Sequence, residues 1–527
     1  MDVAQWFLSA SERGNAATAL DSRHRDAAAW SVGNSVEPLV HGGVYFPELL
    51  RSVRLMRRGD LLLFTDWRGD PDELLDGPGT GVSRVFAEAA ARGVVVKGLI
   101  WRSHLDRFAF SEQQNRHLGE EIEAAGGECL LDMRVRTGGS HHQKFIVLRH
   151  LGRVELDVAF VGGIDLCHSR HDGLNHHGDG QRQPMAKVYG SRPPWHDIQL
   201  AVRGPAVGDV ELVFRERWED PQPLSRNPIN WLSQRIRGDD HSAGALPAQL
   251  SDPPACGNAA VQLLRTYPRR RPGYPFAADG ERSVARGYAK SVARARNLIY
   301  LEDQYLWSAE IVACFAQALR ANAALRLIAV IPHHPDRDGR ISRPLNLVGR
   351  QQALDELGSA GPGRVAIYGI ENHAGTPVYV HAKVCVIDDV WASVGSDNVN
   401  RRSWTHDSEL TCAVVAPNAT GPDADVDPRT FARGLRLELS REHLDRACGD
   451  DTDLVDPVSA FDAFAAGARR LQAWHDAGRV GPRPPGRVRP YVAPHLSRLT
   501  RAWATPLYRA VVDPDGRPPK LRRRHQF

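Results

Sequence analysis

A short alternating pattern occurs twice in this sequence, and no other feature constrains the fold as strongly. Its second occurrence spans His381–Cys385 and reads His-Ala-Lys-Val-Cys. Because successive side chains of a strand point to opposite faces, His381 and Lys383 lie on the same face, two residues apart. An unpaired lysine is almost never fully buried, so this face is predicted to meet an anionic group.

The first occurrence, at residues 142–144, reads His-Gln-Lys and also precedes an apolar strand. A glycine turn follows each copy, and residues 161–165 align with residues 394–398. This alignment places Asp165 opposite Asn398. The repetition of strand and turn indicates a functional pair rather than two exposed strand ends that share a spacing by chance.

The similarity continues on both sides of these segments. Downstream, Asp197 and Glu409 begin two equivalent apolar strands. Upstream, residues 59–67 resemble residues 296–304, and each segment precedes a helical pattern and a second apolar strand. The chain is therefore predicted to contain an internal duplication, with one histidine–lysine pair in each copy.

The order of strand, helix and strand in each copy indicates parallel βαβ units. The predicted fold class is α/β, with two pseudo-symmetric lobes that each contain a mixed, mostly parallel sheet flanked by helices. The predicted boundaries are an N-terminal extension (1–40), a first lobe (41–220), a Pro- and Ser-rich linker (221–258) with a short helical piece near 231–237, a second lobe (259–440), and a C-terminal helical extension with a basic tail (441–527).

Composition narrows the function classes. The net charge of +4 over 527 residues is too small to predict nucleic-acid binding without a local basic patch. The seven cysteines are scattered and form no C-x-x-C pair, which indicates a reduced compartment and no thiolate zinc site. The first residues do not resemble a secretory signal, and no apolar run is long enough for a membrane span. The sequence therefore predicts a cytoplasmic protein that contacts a membrane only at its surface.

Residues 168–196 form a segment rich in His, Gly and Arg. Its histidines could bind zinc, but His171, Asp172, His176 and His177 do not show a settled ligand spacing. A solvated or substrate-lining loop is the favoured interpretation. We therefore predict neither a metal nor a cofactor.

The two histidine–lysine pairs suit one reaction if the strands of the two copies face each other. One neutral imidazole can attack a phosphorus atom while the other, protonated, gives its proton to the leaving oxygen. Lys144, Lys383, Asn398 and Ser396 are expected to bind the phosphoryl oxygens as negative charge develops. A phosphodiester fits this set, and water or an alcohol then releases the covalent phosphohistidine. No metal is required.

Asp197 and Glu409 are predicted to complete the site. Each is expected to accept the ring N–H of the histidine from the opposite copy and to fix its tautomer, as the third member of a catalytic triad does. The alternative interpretation is that each carboxylate is an ordinary acidic residue at the surface or at the edge of a strand, without a catalytic role. If the pairing crosses between copies, neither copy can work alone.

The segment His381–Asp388, followed by the turn Gly-Ser-x-Asn, resembles the HKD motif of the phospholipase D superfamily. Residues 142–144 and the stretch Pro-Trp-His-Asp at 194–197 resemble the first motif of eukaryotic-type phospholipase D and its surroundings. The resemblance extends over roughly residues 40–220 and 260–415.

This resemblance implies the phospholipase D fold, with His142 as the nucleophile and His381 as the general acid. It also places Asp388 in the catalytic motif, where the aspartate of the family supports the motif. Gly163 and Asp165 are predicted to line the substrate site, since they align with residues of the second glycine turn.

Two positions of the first copy depart from the family pattern. Arg149 occupies the position of the motif's aspartate, and activity is expected to survive this change because that aspartate is structural in the family. Asp165 stands where many members have Asn, and a carboxylate there would repel phosphate unless it is paired or protonated.

The predicted function is a phosphodiesterase of the phospholipase D type. It is expected to act as a monomer on a glycerophospholipid at a membrane surface, with water or an alcohol as acceptor and no nucleic acid as partner. Three alternatives stay open at this stage: a phosphatidyltransferase similar to cardiolipin synthase, a nucleic-acid phosphodiesterase, and a non-catalytic lipid-binding homologue. Arg149 and Asp165 are the residues that suggest the last of these.

Overall fold

The computed structural model describes residues 2–24, 27–103, 112–225, 243–339, 341–416 and 431–527. The short helix predicted near 231–237 lies outside the described residues. The described part of the chain forms two equivalent lobes and a set of C-terminal helices, and its elements are numbered in chain order.

The first lobe carries eight strands, which are β1 Ser31–Val40, β2 Leu61–Asp66, β3 Val95–Trp101, β4 Glu128–Asp132, β5 Phe145–Arg149, β6 Val158–Gly162, β7 Trp195–His196 and β8 Ile198–Arg203. The helices of this part of the chain are α1 Ala10–Arg13, α2 Gly42–Arg54, α3 Val82–Ala91, α4 Glu112–Ala124 and α5 Ala206–Trp218. On α3, the buried residues Val82, Val85, Phe86 and Ala89 follow one another at three- and four-residue spacing, which explains why this segment is an amphipathic helix.

The second lobe repeats this order. Its strands are β9 Ala259–Tyr267, β10 Glu281–Arg282, β11 Leu298–Asp303, β12 Arg326–Val330, β13 Val365–Ile370, β14 Tyr379–Val380, β15 Lys383–Ile387, β16 Trp391–Gly395, β17 Glu409–Val415 and β18 Val488–Pro490. The helices that follow α5 in the described residues are α6 Ser283–Val292, α7 Ala309–Ala321, α8 Ser342–Ala360, α9 Arg401–Thr405, α10 Phe431–Leu444, α11 Thr452–Val455, α12 Pro457–Asp476, α13 Arg498–Leu507 and α14 Pro519–Arg523.

The strand order of the sheets confirms the mixed α/β class and corrects one detail of the prediction. The order is β1-β8-β6-β5-β2-β3-β4 in the first lobe and β9-β17-β16-β15-β11-β12-β13-β18 in the second. Within these two strand orders only β2-β3-β4 and β11-β12-β13 pair in parallel, so the sheets are mixed but not mostly parallel. The strands that carry the histidine–lysine pairs lead through short connections into β6 and β16, and short connections favour antiparallel pairing.

The apolar faces of the two sheets meet in a shared core. Its buried side chains come from both lobes and include Leu63, Val147, Val161, Leu200, Leu263, Val384, Val394 and Val414. Strands β1 and β9 also pair directly and join the two sheets at their edges. Since full burial of each such Val or Leu side chain contributes about 1.5–3 kcal/mol, this core holds the lobes firmly against each other.

The C-terminal residues are part of the second lobe. Strand β18 adds to the edge of its sheet beside β13, and α12 packs against β18 and β12. The helix α13 packs against α8. Among the described residues, none of the helices combines the length and the apolar character that crossing a bilayer requires.

Candidate active site

The two predicted histidines lie where the lobes exchange backbone hydrogen bonds. Strand β7 of the first lobe pairs in parallel with β14 of the second, and the His381 N–H donates to the His196 carbonyl at 2.8 Å. In the equivalent contact, the His142 N–H donates to the Ser408 carbonyl at 2.9 Å. Each histidine is therefore fixed beside the residue that precedes the carboxylate of the opposite lobe.

The histidine–carboxylate pairs cross between the lobes. His142 Nδ1 lies 2.9 Å from Glu409 Oε2, and His381 Nδ1 lies 2.6 Å from Asp197 Oδ2. Both carboxylates are buried, and the Ser396 hydroxyl donates to Glu409 Oε2 at 2.5 Å. In each ring Nδ1 is engaged by the carboxylate, which leaves Nε2 to meet a substrate.

The glycine turns allow this close approach. A Cβ atom on Gly162 would lie 2.5 Å from the Ile198 carbonyl oxygen, and one on Gly395 would lie 2.7 Å from the Leu410 carbonyl oxygen. Real Cβ atoms do not approach so closely, so only glycine lets β6 and β16 lie against the strands that follow the two carboxylates.

The two lysines lie at the starts of their strands, buried behind the histidines. Lys144 Nζ donates to the His142 carbonyl at 2.9 Å, and Lys383 Nζ donates to the His381 carbonyl and to Gln304 Oε1. Burial lowers the pKa of Lys383 to about 8. Burial and the neighbouring Lys383 also lower the pKa of His381 to about 3, although Asp197 acts in the opposite direction.

The acidic residue at the first glycine turn is paired. Asp165 Oδ1 lies 3.4 Å from Lys144 Nζ, and its Oδ2 lies 3.5 Å from Arg170 Nη2. Burial acts to raise the pKa of Asp165, but Lys144, Arg170 and the two imidazoles hold this pKa below its ordinary value. Burial and the Asp165 charge raise the pKa of the adjacent Asp66 well above its ordinary range. The condition under which Asp165 tolerates a nearby phosphate is therefore met.

Of the other residues predicted to bind substrate, one lines the cavity and two contact the predicted catalytic carboxylates instead. Asn398 lines the cavity described below. Ser396 contacts Glu409 rather than the cavity, and a Cβ on Gly163 would clash with the Asp197 carboxylate. Ser396 and Gly163 therefore support the two carboxylates from behind, because the tight turn directs them towards the neighbouring strand.

Asp388 and Arg149 lie at the far ends of their strands. Lys383 begins β15, which is five residues long, so Asp388 is about 16 Å from the lysine along the strand. Its carboxylate accepts backbone hydrogen bonds at the start of β11, from residues 296–298 at 2.6–2.9 Å. Arg149 instead forms buried ion pairs with Asp157 and Glu211. The prediction of Asp388 within the catalytic set is thus corrected to a role in holding two strands together.

A cavity of about 960 Å³ opens between the lobes, and both imidazoles lie in its wall. This volume is typical of a small-molecule site. Aromatic side chains line much of it, namely Trp67, Trp101, Trp195, Tyr305, Trp307 and Tyr379. Its basic lining residues include Arg68, Arg170 and Arg402. Asp336 and Asp407 also line it, and Arg402 pairs with Asp407. The cavity therefore combines apolar walls with arginine side chains near the two histidines, as suits an amphiphilic anion.

Sequence reasoning missed two polar residues of this wall. Arg170 lies over the Trp195 ring, 3.9 Å from its centre, and contacts Asp165. Gln304 accepts a hydrogen bond from Lys383 and donates one to the Tyr379 hydroxyl at 2.9 Å. Arg170 lies in the histidine-rich segment, and Gln304 ends the upstream repeat. Neither residue aligns with a similar polar residue in the other copy, so the repeat did not identify them.

Comparisons with known protein families agree with this geometry. A family model described as phospholipase D matches residues 120–330, and one described as cardiolipin synthase, PLD-like domain, matches residues 289–422. Phospholipase D beta 1 of Arabidopsis thaliana is 26% identical over 409 residues, covering 59% of this chain and 38% of that protein. Phospholipase D alpha 1 of Cynara cardunculus is 24% identical over 493 residues, covering 71% and 60%. The chain thus spans about half the length of the curated relatives that it matches.

A comparison of structures gives the same fold. Phosphatidylserine synthase from Haemophilus influenzae superposes with a TM-score of 0.51 and 12% sequence identity, covering 84% of this chain and 94% of that protein. At this identity the likeness concerns the fold alone.

Proposed function

The chain belongs to the phospholipase D superfamily, and from this premise we propose that it is a phosphodiesterase that cleaves or transfers the headgroup of glycerophospholipids through a covalent phosphohistidine. One observation carries the proposal: two histidines in the wall of one cavity are each held by a carboxylate of the opposite lobe.

In the first step, His142 Nε2 attacks phosphorus and forms a P–N bond while the bond from phosphorus to the headgroup oxygen breaks. His381, protonated, gives its proton to that oxygen. In the second step, His381 takes a proton from water or an alcohol, whose oxygen attacks phosphorus and displaces His142. Glu409 and Asp197 hold the rings in place and stabilise the positive charge that forms on each.

His381 takes up its proton from solvent when the substrate binds. In the free protein its pKa is lowered to about 3, so the ring is neutral near neutral pH. A bound phosphodiester anion offsets the charge of Lys383 and raises the pKa of His381, because an opposite charge nearby favours the protonated form.

The lipid assignment is tested with phosphatidylcholine vesicles in the presence of ethanol. We expect phosphatidic acid from hydrolysis and phosphatidylethanol from transfer, both absent with the His142→Ala variant. If neither product formed from any of several lipid classes, the lipid assignment would be wrong.

A phosphatidyltransferase is the second candidate, because the second lobe matches the model described as cardiolipin synthase, PLD-like domain. The same active site serves both reactions, and the acceptor decides between them. Supplying phosphatidylglycerol as donor and acceptor distinguishes the two. Cardiolipin formed faster than phosphatidic acid would favour the transferase.

The charge of Lys383 predicts an alkaline limit to activity. Because its pKa is lowered to about 8, the positive charge behind His381 is lost as the pH rises through this value. Because protonated His381 is already lost progressively above its free-protein pKa of about 3, we expect the fall of log kcat/KM with pH for a soluble phosphodiester to steepen by about one unit per pH unit above pH 8. The corresponding limb in kcat should lie at higher pH, because the bound anion raises the pKa of Lys383.

The Lys383→Arg variant is the control for this pH effect, since a guanidinium stays charged throughout. Its kcat/KM is expected to be lower but without the additional fall above pH 8. An unchanged limb in this variant would show that another group titrates.

An exposed apolar stripe beside the cavity is the proposed contact with the lipid surface. Leu499, Trp503, Leu507 and Val511 follow one another at four-residue spacing and are 37–78% exposed. Val511 also lines the cavity. The exposed arginines Arg498, Arg501 and Arg509 lie along the same segment. Apolar residues flanked by arginine suit the surface of an anionic bilayer.

Replacing Leu499 and Trp503 with Ser together is expected to lower binding to anionic phospholipid vesicles about tenfold or more, since each apolar side chain that enters the interface contributes roughly 1 kcal/mol or more. Activity on a monomeric short-chain phospholipid should stay unchanged. Leu151→Ser is the matched control, because Leu151 is 59% exposed at the end of the first lobe that lies away from the cavity. Equal vesicle binding by all three proteins would contradict this surface.

A further inference from the structure

Directly behind Asp197 lies a buried cluster of histidine and glutamate side chains from distant parts of the chain. Its six members are His41, His176, His196, Glu302, Glu442 and His443, and each is at most 7% exposed. They come from the start of α2, the histidine-rich segment, β7, β11 and α10. The proposed reaction uses none of these side chains.

Four of these residues direct one ligand atom each towards a common point. His41 Nε2 and His176 Nε2 lie 2.9 Å from the two Glu442 carboxylate oxygens, and His196 Nδ1 lies 3.3 Å from Glu442 Oε1. All four ligand atoms are within 4.8 Å of one another. In a tetrahedral zinc site with bonds of about 2.0–2.1 Å, neighbouring ligand atoms are about 3.3 Å apart.

One of these atoms lacks any other partner in the described residues. His196 Nδ1 is buried and makes no hydrogen bond there, even though Glu442 is near, because the geometry is poor. A buried imidazole nitrogen without a partner is costly. His196 Nδ1 and Glu442 Oε1 are therefore oriented like two ligands of one metal ion rather than like a hydrogen-bond donor and its acceptor.

The opposite edges of two of the three rings, those of His176 and His196, are supported as metal-bound histidines usually are, whereas His41 Nδ1 makes no hydrogen bond within the described residues. His196 Nε2 contacts Glu302 Oε2 at 2.6 Å, and Glu302 also accepts from the Tyr300 hydroxyl at 2.6 Å. His176 Nδ1 contacts the Trp195 carbonyl oxygen at 3.0 Å. Carboxylate and carbonyl partners of this kind fix the tautomer of a ligand histidine and raise its basicity.

The charges point the same way. Glu302 and Glu442 bring two negative charges into the interior, and buried carboxylates need compensation. One divalent cation bound to three neutral imidazoles and Glu442, with Glu302 beside it, makes the cluster neutral without protonating any histidine.

We propose that His41, His176, His196 and Glu442 bind a structural zinc ion. Three imidazoles and one carboxylate in a closed set of four suit tetrahedral Zn²⁺. The ion would join α2, the histidine-rich segment, β7 and α10. Because Asp197 directly follows His196, the ion also fixes the carboxylate that holds His381.

The zinc content of the chain of 527 residues, purified without a histidine tag, tests this site. We expect about one zinc per chain by elemental mass spectrometry. Cobalt in its place should give the visible absorption bands of a tetrahedral N/O site. Removal of the metal by a chelator should lower Tm, and zinc alone should restore it.

Variants locate the metal within the cluster. Glu442→Gln and His176→Ala are expected to lose the zinc, whereas His177→Ala, an exposed neighbour of His176, should keep it. Glu302→Gln should keep the zinc but bind it about 10–100-fold more weakly in competition with a chelator. His443→Ala should keep it, which distinguishes this site from the smaller group of His196, Glu302 and His443.

Two results would overturn the proposal. The first is wild-type protein without zinc whose Tm and cobalt spectrum do not respond to added metal, since the cluster would then be a hydrogen-bonded network only. The second is full zinc content in Glu442→Gln together with its loss in His142→Ala or His443→Ala. Both readouts are independent of activity and of the lipid substrate.

Discussion

The His142→Ala variant is expected to lower kcat/KM for a phosphodiester at least about 10⁴-fold, because it removes the atom that forms the covalent bond to phosphorus. The remaining cavity still binds the substrate through its basic and aromatic wall, so KM should change far less than kcat. The loss should be the same for an alkyl and an aryl leaving group.

The His381→Ala variant separates the two imidazoles. Removal of a general acid costs about 10²–10⁴-fold when the leaving group is an alkoxide that needs a proton. A p-nitrophenyl phosphodiester leaves without one, so its cleavage step should be largely preserved. Equal losses for both substrates in both variants would contradict the assignment of roles.

Two controls test whether these variants act on chemistry rather than on folding. His142 is partly exposed in the cavity and His381 has no role in the shared core, so Tm should shift little for either. His373 is exposed and contacts a single carboxylate, so the His373→Ala variant should retain full activity.

The crossed carboxylates predict a second large effect. Asp197→Asn and Glu409→Gln keep the size of each side chain but remove the charge that orients the histidine and stabilises its protonated form. The corresponding change in a Ser-His-Asp triad lowers kcat about 10⁴-fold, and we expect losses of about 10²–10⁴ here.

The leaving group reveals which histidine each carboxylate serves. Asp197 contacts His381, so the loss in Asp197→Asn should shrink with the p-nitrophenyl substrate. Glu409 contacts His142, so the loss in Glu409→Gln should be equal for both substrates. Adding Asp197→Asn to His381→Ala should cost little more, because residues that act through one another are not additive.

An exposed acid provides the comparison for these variants. Asp72→Asn removes a carboxylate that is 73% exposed and far in sequence from both pairs, and it should leave kcat/KM unchanged. If Asp197→Asn affected both substrates equally while Glu409→Gln affected only the alkyl ester, the pairing would not be crossed in function.

Much of this arrangement follows from the sequence because it is repeated. The alternation around His381 and Lys383 places both side chains on one face, and the second copy supplies the symmetry that aligns Asp197 with Glu409. Comparison with known families confirms the superfamily, and the structure shows a carboxylate of one lobe at the histidine of the other.

Features of the structure that occur in only one of the two copies could not be predicted from the repeat. Ion pairing of Asp165 relies on Arg170, which lies in an irregular segment, and the partners of Arg149 come from a turn and from α5. The mostly antiparallel pairing arises from connection lengths that the apolar pattern does not specify. The histidine cluster was missed because its members are separated by up to several hundred residues and form no motif.

Mass spectrometry of the reacting protein tests directly whether His142 forms the covalent bond to phosphorus. Wild-type protein is mixed with a p-nitrophenyl phosphodiester of a diacylglycerol, quenched during the first turnover, and digested under alkaline conditions that preserve phosphohistidine. We expect a phosphatidyl group on the peptide that contains His142, and none on this peptide in the His142→Ala variant. Release of p-nitrophenol in a full first turnover with neither His142 nor His381 modified would contradict this expectation.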